Sequence, residues 1–269
     1  MRLQVKRTVS QLVSLFFANL GMRGLKTGFC YPFLYCHSCP YSMAGCPIGI
    51  MEHAVYKGKI SLPLLLYPIL LFSSISSIFG RAICGWICPI GLLQRATSRF
   101  SKNKLSKYLS AKIPDNIKNK IRYAKYVNLI LLVIITPYLI GFMFTDVCPV
   151  GFLVGTIPIG LTNYGKFVPN PFFLPALVVF ILFVVLITLS SRGWCKYFCP
   201  LGALMAPFNK ISLLHVHVDK ERCIHCNRCV EACPMGIDVP NMNRSMECIL
   251  CGRCIEVCPK SAISYRLKL

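Results

Sequence analysis

The C-terminal part of the chain carries Cys223, Cys226, Cys229 and Cys233, then Cys248, Cys251, Cys254 and Cys258. These are two CxxCxxCxxxCP runs with the spacing of bacterial two-cluster ferredoxins. In that pattern the last cysteine of each run ligates the other run's cluster. Cys223, Cys226, Cys229 and Cys258 are therefore expected to hold one [4Fe-4S] cube, and Cys248, Cys251, Cys254 and Cys233 the second. Zinc ribbons use two CxxC pairs at wider separation and do not account for the tandem triplets.

A second pattern is a phrase repeated four times: Cys46-Pro47-Ile48-Gly49, Cys88-Pro89-Ile90-Gly91, Cys148-Pro149-Val150-Gly151 and Cys199-Pro200-Leu201-Gly202. Proline after a ligand sets the first turn of a helix without sacrificing a needed N–H, so each phrase should open a helix whose first amides face the sulfur and favour thiolate. The glycine keeps a side chain out of the way of a cofactor or a facing repeat. Two copies extend to CxxxCP, as Cys84-Gly85-Trp86-Ile87-Cys88-Pro89 and Cys195-Lys196-Tyr197-Phe198-Cys199-Pro200, preceded by Gly80-Arg81 and Arg192-Gly193. One CxxxC offers two ligands. Paired, Cys84, Cys88, Cys195 and Cys199 suit one [4Fe-4S] cube, or a [2Fe-2S] centre. The other two copies contribute Cys46 and Cys148, and the Cys36/Cys39 pair would complete an outer cluster of Cys36, Cys39, Cys46 and Cys148. Disulfides are the alternative there, with Cys30 joining them or replacing Cys148 as ligand. Structural zinc on Cys36, Cys39 and Cys46 is another.

The segments that position these cysteines are strongly apolar: 55% of the chain is hydrophobic and the mean hydropathy is +0.59, beyond what a soluble domain carries. Stretches 61–80, 126–144 and 171–190 are long enough to span a bilayer. A shorter one at 8–22 follows Arg2, Lys6 and Arg7 and reads as an uncleaved anchor. Span, CPxG, span and CxxxCPxG follow one another in 8–100 and again in 124–210, which is the order of parallel repeats related by a pseudo-twofold axis along the membrane normal. The expected fold is an all-α membrane protein with four transmembrane helices in two such repeats (residues 1–210), followed by a small α+β ferredoxin domain (residues 211–269). Residues 81–125 hold eleven Lys and Arg against Asp115, whereas 145–170 holds Lys166 against Asp146. The basic loop should therefore lie inside. Both termini, the inner cysteines and the ferredoxin domain then face the cytoplasm of a prokaryotic cell, with Cys30, Cys36, Cys39, Cys46 and Cys148 on the outer side.

The net charge of +21 also raises nucleic acid as a partner, through Lys102, Lys104, Lys107, Lys112, Lys118 and Lys120. A basic interfacial helix on anionic lipid, or a dock for an acidic electron carrier, is the simpler reading, and no nucleic-acid partner is expected. Four oxidised clusters at roughly −2 each would lower the charge to about +13. His215 and His217 alternate with apolar residues, as in a half-buried strand. His225, between cluster cysteines, should be exposed. Trp86 and Trp194 read as interfacial anchors.

With these motifs the chain resembles the membrane polyferredoxins of the NapH type. The matching pieces are the basic start Arg2 to Arg7, the motifs Cys84 to Pro89 and Cys195 to Pro200, and the tandem ferredoxin runs. The resemblance implies a four-span protein exchanging electrons among quinone, cytoplasmic-side clusters and an extracytoplasmic partner. The outer cysteines are not part of that pattern. They favour a transmembrane relay fed by a soluble ferredoxin-like or flavin donor, within a larger redox complex and without side-chain catalysis. A quinone oxidoreductase subunit is the second reading, with Glu52, His53 or His37 exchanging protons. A redox sensor or metal reductase in cofactor assembly, as in related CcoG-like polyferredoxins, is the third.

Overall fold

The structure, a computed structural model, describes residues 3–21, 28–36, 39, 41–100, 120–162, 171–242 and 244–267, with side chains omitted at 99 and 100. The first half contains α1 (Leu3–Ala18), α2 (Pro47–Ala54), α3 (Leu62–Phe79), α4 (Ala82–Trp86) and α5 (Pro89–Phe100). The same order of helices recurs as α6 (Ala124–Leu139), α7 (Pro149–Leu161), α8 (Phe173–Leu189), α9 (Gly193–Tyr197) and α10 (Pro200–Met205). All four CPxG phrases open a helix at their proline (α2, α5, α7 and α10), as its fixed φ and missing N–H favour.

Among the described residues α3 is the one helix long and apolar enough to cross a membrane; α6, α7 and α8 are apolar but shorter. α7 opens at Pro149 as its phrase predicts, and it runs on to Leu161 through a stretch otherwise expected as the 145–170 loop. In the structure a π-helical turn at Phe152–Thr156 precedes Pro158, and another at Leu131–Ile135 precedes Pro137 in α6. Such a widened turn takes up the proline ring and the missing amide without ending the helix.

α1 is inside out relative to a helix of a water-soluble bundle, and α8 is apolar on its exposed face as well as its buried one. α1 buries Arg7 and Gln11 while Leu12, Val13, Phe16 and Phe17 are exposed. α8 exposes Leu174, Val178, Ile181 and Leu182. Ile48, Met51, Phe72, Val133, Phe183, Trp194 and Met205 form a shared core between the halves. Trp194 is buried and stacks on Phe144 and Phe198, so it is a core residue and not the interfacial anchor expected.

A non-helical segment runs into this core. Cys30, Tyr31, Phe33, Leu34 and Tyr35 are all buried. Tyr31 donates its hydroxyl to Ala18 O (2.8 Å) and Tyr35 to Asn19 Oδ1 (2.5 Å), while Tyr31 N–H bonds Gly45 O (3.0 Å). These bonds satisfy polar groups that burial would otherwise leave costly.

The C-terminal unit pairs β1 (Leu214–Val218) antiparallel with β2 (Ile263–Leu267), with Val216 opposite Tyr265. Between them lie α11 (Arg228–Ala232) and α12 (Arg253–Val257), each preceded by a left-handed residue, Asn227 or Gly252. His215 and His217 lie on β1 as expected, and His225 is exposed.

Gly80 joins α3 to the inner motif with φ +56° and ψ −138°, a region open essentially to glycine alone. A Cβ there would collide with Asn209 Oδ1, the acceptor of the Arg81 N–H (2.9 Å). Gly80→Ala should cost about 2–4 kcal/mol through strain and overpacking together. Gly58→Ala, also at positive φ (+75°) but with nothing within 4 Å, should cost less. Thermal midpoints of the two purified variants check the difference.

Candidate metal centres

Cys84, Cys88, Cys195 and Cys199 line one cavity of about 400 Å³ between the halves. At the last CPxG phrase the glycine amide bonds the cysteine sulfur, Gly202 N–H to Cys199 Sγ at 3.3 Å, and at the other three the amides of Gly91, Gly49 and Gly151 favour the charged form of Cys88, Cys46 and Cys148. Gln94 Nε2 adds a bond to Cys195 Sγ (3.1 Å). These donors stabilise thiolate over thiol.

The inner glycines also admit an arginine from the other half. A Cβ on Gly91 would stand 2.8 Å from Arg192 Nη2, and one on Gly202 would stand 2.9 Å from Arg81 Nη2. Both arginines are at most 1% exposed, and sequence reading noted their positions without finding this role. Arg81 lines the cavity and has Cys84, Cys195 and Cys199 as its charge neighbours. Its Nε and Nη2 are buried without an acceptor at bonding distance. A buried guanidinium with free donors beside four thiols calls for an anion, and an iron–sulfur cluster with thiolate ligands is one. The residues present fit that group.

At the outer position Cys36, Cys46 and Cys148 line a smaller cavity of about 260 Å³. Gly151 and Gly155 of α7 leave room for Cys36 Sγ, which lies 3.6 and 3.4 Å from where their Cβ atoms would be. Cys39 does not line this cavity; it packs with Tyr31, Phe33 and Tyr35, and its N–H bonds Cys36 O (3.3 Å). The structure thus brings together three of the four outer cysteines. Cys30 bonds Tyr67 instead. None of the seventeen cysteines is disulfide-bonded, and among the described residues no three His, Cys, Asp or Glu side chains converge on a single metal ion.

Glu52 of α2 is fully buried near this cavity. Its Oε2 accepts the Thr145 N–H (3.3 Å) and hydroxyl (2.6 Å), while Oε1 has no partner. Burial lifts the carboxyl to about 7, against the pull of the Thr145 donors. His53 is exposed, whereas His37 and the lysines from Lys102 to Lys118 lie outside the described residues.

In the C-terminal unit Cys223, Cys226, Cys229 and Cys258 share a cavity of about 380 Å³. Cys254 has Cys251, Cys248 and Cys233 as its charge neighbours. The crossed grouping is therefore present in the geometry. The second group faces the inner motif. Ile249 and Cys251 lie against Gly85, where a Cβ would meet Ile249 O. Trp86 Nε1 donates to Leu250 O (2.9 Å), a docking contact rather than an interfacial anchor, and Asn209 Nδ2 to Ser245 O (2.9 Å) and Cys248 O (2.6 Å). Glu247 pairs with Arg81 (3.1 Å) and with Lys125. Although burial raises the Glu247 carboxyl, these two cations hold it below its usual range. The first group lies on the far side, with Cys226 exposed.

The 4Fe-4S binding domain family matches this chain twice, at 61–108 and 172–220, and a 4Fe-4S dicluster domain matches 215–259. A protein of Methanocaldococcus jannaschii is 30% identical over 82% of this chain and 85% of its own length. The ferredoxin-type protein NapH of Escherichia coli is 26% identical over 57% of this chain. The chain belongs to the NapH-type polyferredoxin family. This polyferredoxin is also 24% identical, over 64% of its length, to the putative electron transport protein YccM of Escherichia coli. It spans about half the length of NapH and YccM, 47% and 46%. No solved structure matches it.

Proposed function

We propose that this polyferredoxin is an electron-transfer subunit of a redox complex in a prokaryotic cytoplasmic membrane, carrying electrons between a cytoplasmic donor and a membrane or extracytoplasmic partner. Four sites would hold [4Fe-4S] clusters: Cys223/Cys226/Cys229/Cys258, Cys248/Cys251/Cys254/Cys233, Cys84/Cys88/Cys195/Cys199, and the outer set with Cys36, Cys46 and Cys148, for which Cys39 supplies the fourth thiolate after reorienting. Bound clusters supply one-electron storage at each site. The observation that supports the reading is that the inner cysteine group adjoins a further cysteine group on each side. Gly85 abuts Ile249 and Cys251, and Leu34 lines both the inner and the outer cavity. A route across about 30 Å of hydrocarbon needs such intermediate stations.

The chain's residues suit the task in other ways. Exposed Cys226 marks the contact point for a ferredoxin-like or flavin donor. Exposed apolar faces on α1, α3 and α8 are what lipid would cover, and four spans would be α1, α3, α6 and α8, with a bilayer thinned to fit the shorter ones. The non-helical segment 28–36 is buried by protein, as irregular backbone at membrane depth must be. The names of relatives, ferredoxin-type and electron transport proteins, agree.

A quinone-coupled subunit is the second reading. It is favoured by the buried Glu52 carboxyl with its free Oε1 beside the outer cavity.

Iron and acid-labile sulfide per chain, with EPR of the reduced protein, test the proposal. The wild type should hold about sixteen iron, and Cys46→Ser with Cys148→Ser should lose about four while the ferredoxin signals persist. About twelve iron, unchanged in the variant, would remove the outer station and leave the quinone-coupled reading in its place.

A further inference from the structure

Each inner motif is led by a buried arginine, and the two are used differently. Arg192 is held by backbone: its Nη1 donates to Cys84 O (2.8 Å) and its Nη2 to Gly91 O (3.4 Å). Arg81 lines the inner cavity, which Arg192 does not. Its Nη1 donates to Met246 O (3.1 Å) and to Glu247 Oε2 (3.1 Å), both in the ferredoxin domain. Its Nε and Nη2 are buried without an acceptor. A Cβ on Gly202 would stand 2.9 Å from that Nη2, and Gly202 is the residue whose amide bonds Cys199 Sγ. The free donors therefore lie beside the thiols of the inner site, with Cys84, Cys195 and Cys199 as the charge neighbours of Arg81.

Charge around this guanidinium is not balanced. Lys125 of α6 also pairs with Glu247, and both cations are fully buried. Two cations against one carboxylate leave a positive excess at the wall of the inner cavity, where water screens it little. The first ferredoxin cavity differs. The cations lining it, Arg222, Arg228 and Lys260, are all exposed, and Arg222 pairs with Asp219 (3.4 Å).

We infer that Arg81 raises the reduction potential of the inner site, through its charge and its free Nε and Nη2 donors, and that Glu247 of the ferredoxin domain holds this effect back. The inference rests on the inner cluster proposed above. Reduction adds one electron to a cluster that four thiolates already bring to roughly −2. A neighbouring cation and hydrogen bonds to the sulfurs therefore stabilise the reduced form more than the oxidised one. Glu247 acts with the opposite sign, because its carboxylate offsets the charge of Arg81 and Lys125. Burial by itself disfavours the more highly charged reduced form. Arg81 offsets that penalty, and so favours electron flow from the exposed Cys226 group inward.

The test is an EPR-monitored redox titration of the full-length, cluster-loaded protein at fixed pH and ionic strength. The signal that disappears in Cys84→Ser with Cys195→Ser identifies the inner site. Arg81→Gln should make reduction of that site about tenfold less favourable, as loss of a charge-assisted hydrogen bond does, which lowers its midpoint by about 59 mV for a one-electron couple. Arg81→Lys keeps the charge without the guanidinium fork and should recover part of the shift. Glu247→Gln should move the midpoint upward. It leaves the lining of the inner cavity intact, so it tests the sign even where Arg81→Gln fails to assemble the cluster. The midpoint of the Cys223 group should stay in place in all three variants. A purely structural Arg81 would change iron content or stability without opposed shifts. Midpoints that stay put at full iron content, or that move in the same direction in Arg81→Gln and Glu247→Gln, would overturn the inference. No signal lost in the Cys84/Cys195 variant would remove the inner cluster itself, and the inference with it.

Discussion

Cys84→Ser combined with Cys195→Ser is expected to remove about four iron per chain and to stop electron passage between the ferredoxin domain and the outer side, with the two ferredoxin EPR signals retained. The pair takes one thiolate from each CxxxC motif, and both line the inner cavity. A second effect follows from the arginines. Arg81 and Arg192 are at most 1% exposed, and Arg81 keeps Nε and Nη2 free toward that cavity. Without the anion Arg81 keeps its pair with Glu247, but its buried Nε and Nη2 donors are left unsatisfied, at a cost of about 1–3 kcal/mol. The thermal midpoint should therefore fall together with the iron. Cys226→Ser, at an exposed ligand position, disturbs no buried arginine and should lower iron with a much smaller drop in the midpoint. An unchanged iron content in the Cys84/Cys195 variant would dismiss the inner site.

Much of this site was legible because its rules are local. Proline after cysteine starts a helix wherever it occurs, so the four Cys-capped helices and their sulfur-facing amides follow from the phrase itself. The crossed ferredoxin grouping likewise follows from spacing. What was not legible depends on which residues meet across the fold. Gly91 and Gly202 were seen to need space, but their visitors, Arg192 and Arg81, come from the opposite half. Cys36 and Cys39 look equivalent in sequence, yet one meets the glycine face of α7 and the other enters an aromatic cluster. The start of α7 at Pro149 follows from its phrase, but its continuation through Pro158 does not, because a π turn that accommodates that proline has no sequence signal of its own. Trp86 and Trp194 flank the inner motifs as interfacial anchors would, yet one holds Leu250 O and the other fills the core.

Gly85→Ala is the variant expected to separate docking from cluster assembly. Gly85 lies in α4 between the inner cysteines, and its carbonyl accepts Arg7 Nε (2.5 Å) and Gln11 Nε2 (3.1 Å), so α4 is held in place. Its missing side chain is what lets Ile249 O and the Cys251 backbone approach. A methyl group there overpacks a rigid contact, at a typical cost of about 1–3 kcal/mol. Expressed as undocking, that lowers the docking equilibrium constant by about fivefold to 150-fold. The clusters should all remain, since no thiolate is altered, but reduction of the inner site by a donor that enters at Cys226 should slow in proportion. Trp86→Phe removes only the hydrogen bond to Leu250 O, worth about 1 kcal/mol, and should slow it less. Stopped-flow reduction at matched iron content distinguishes the two. Equal rates in wild type and Gly85→Ala would show that electrons reach the inner site without this contact, and the file of sites proposed above would lose its second link.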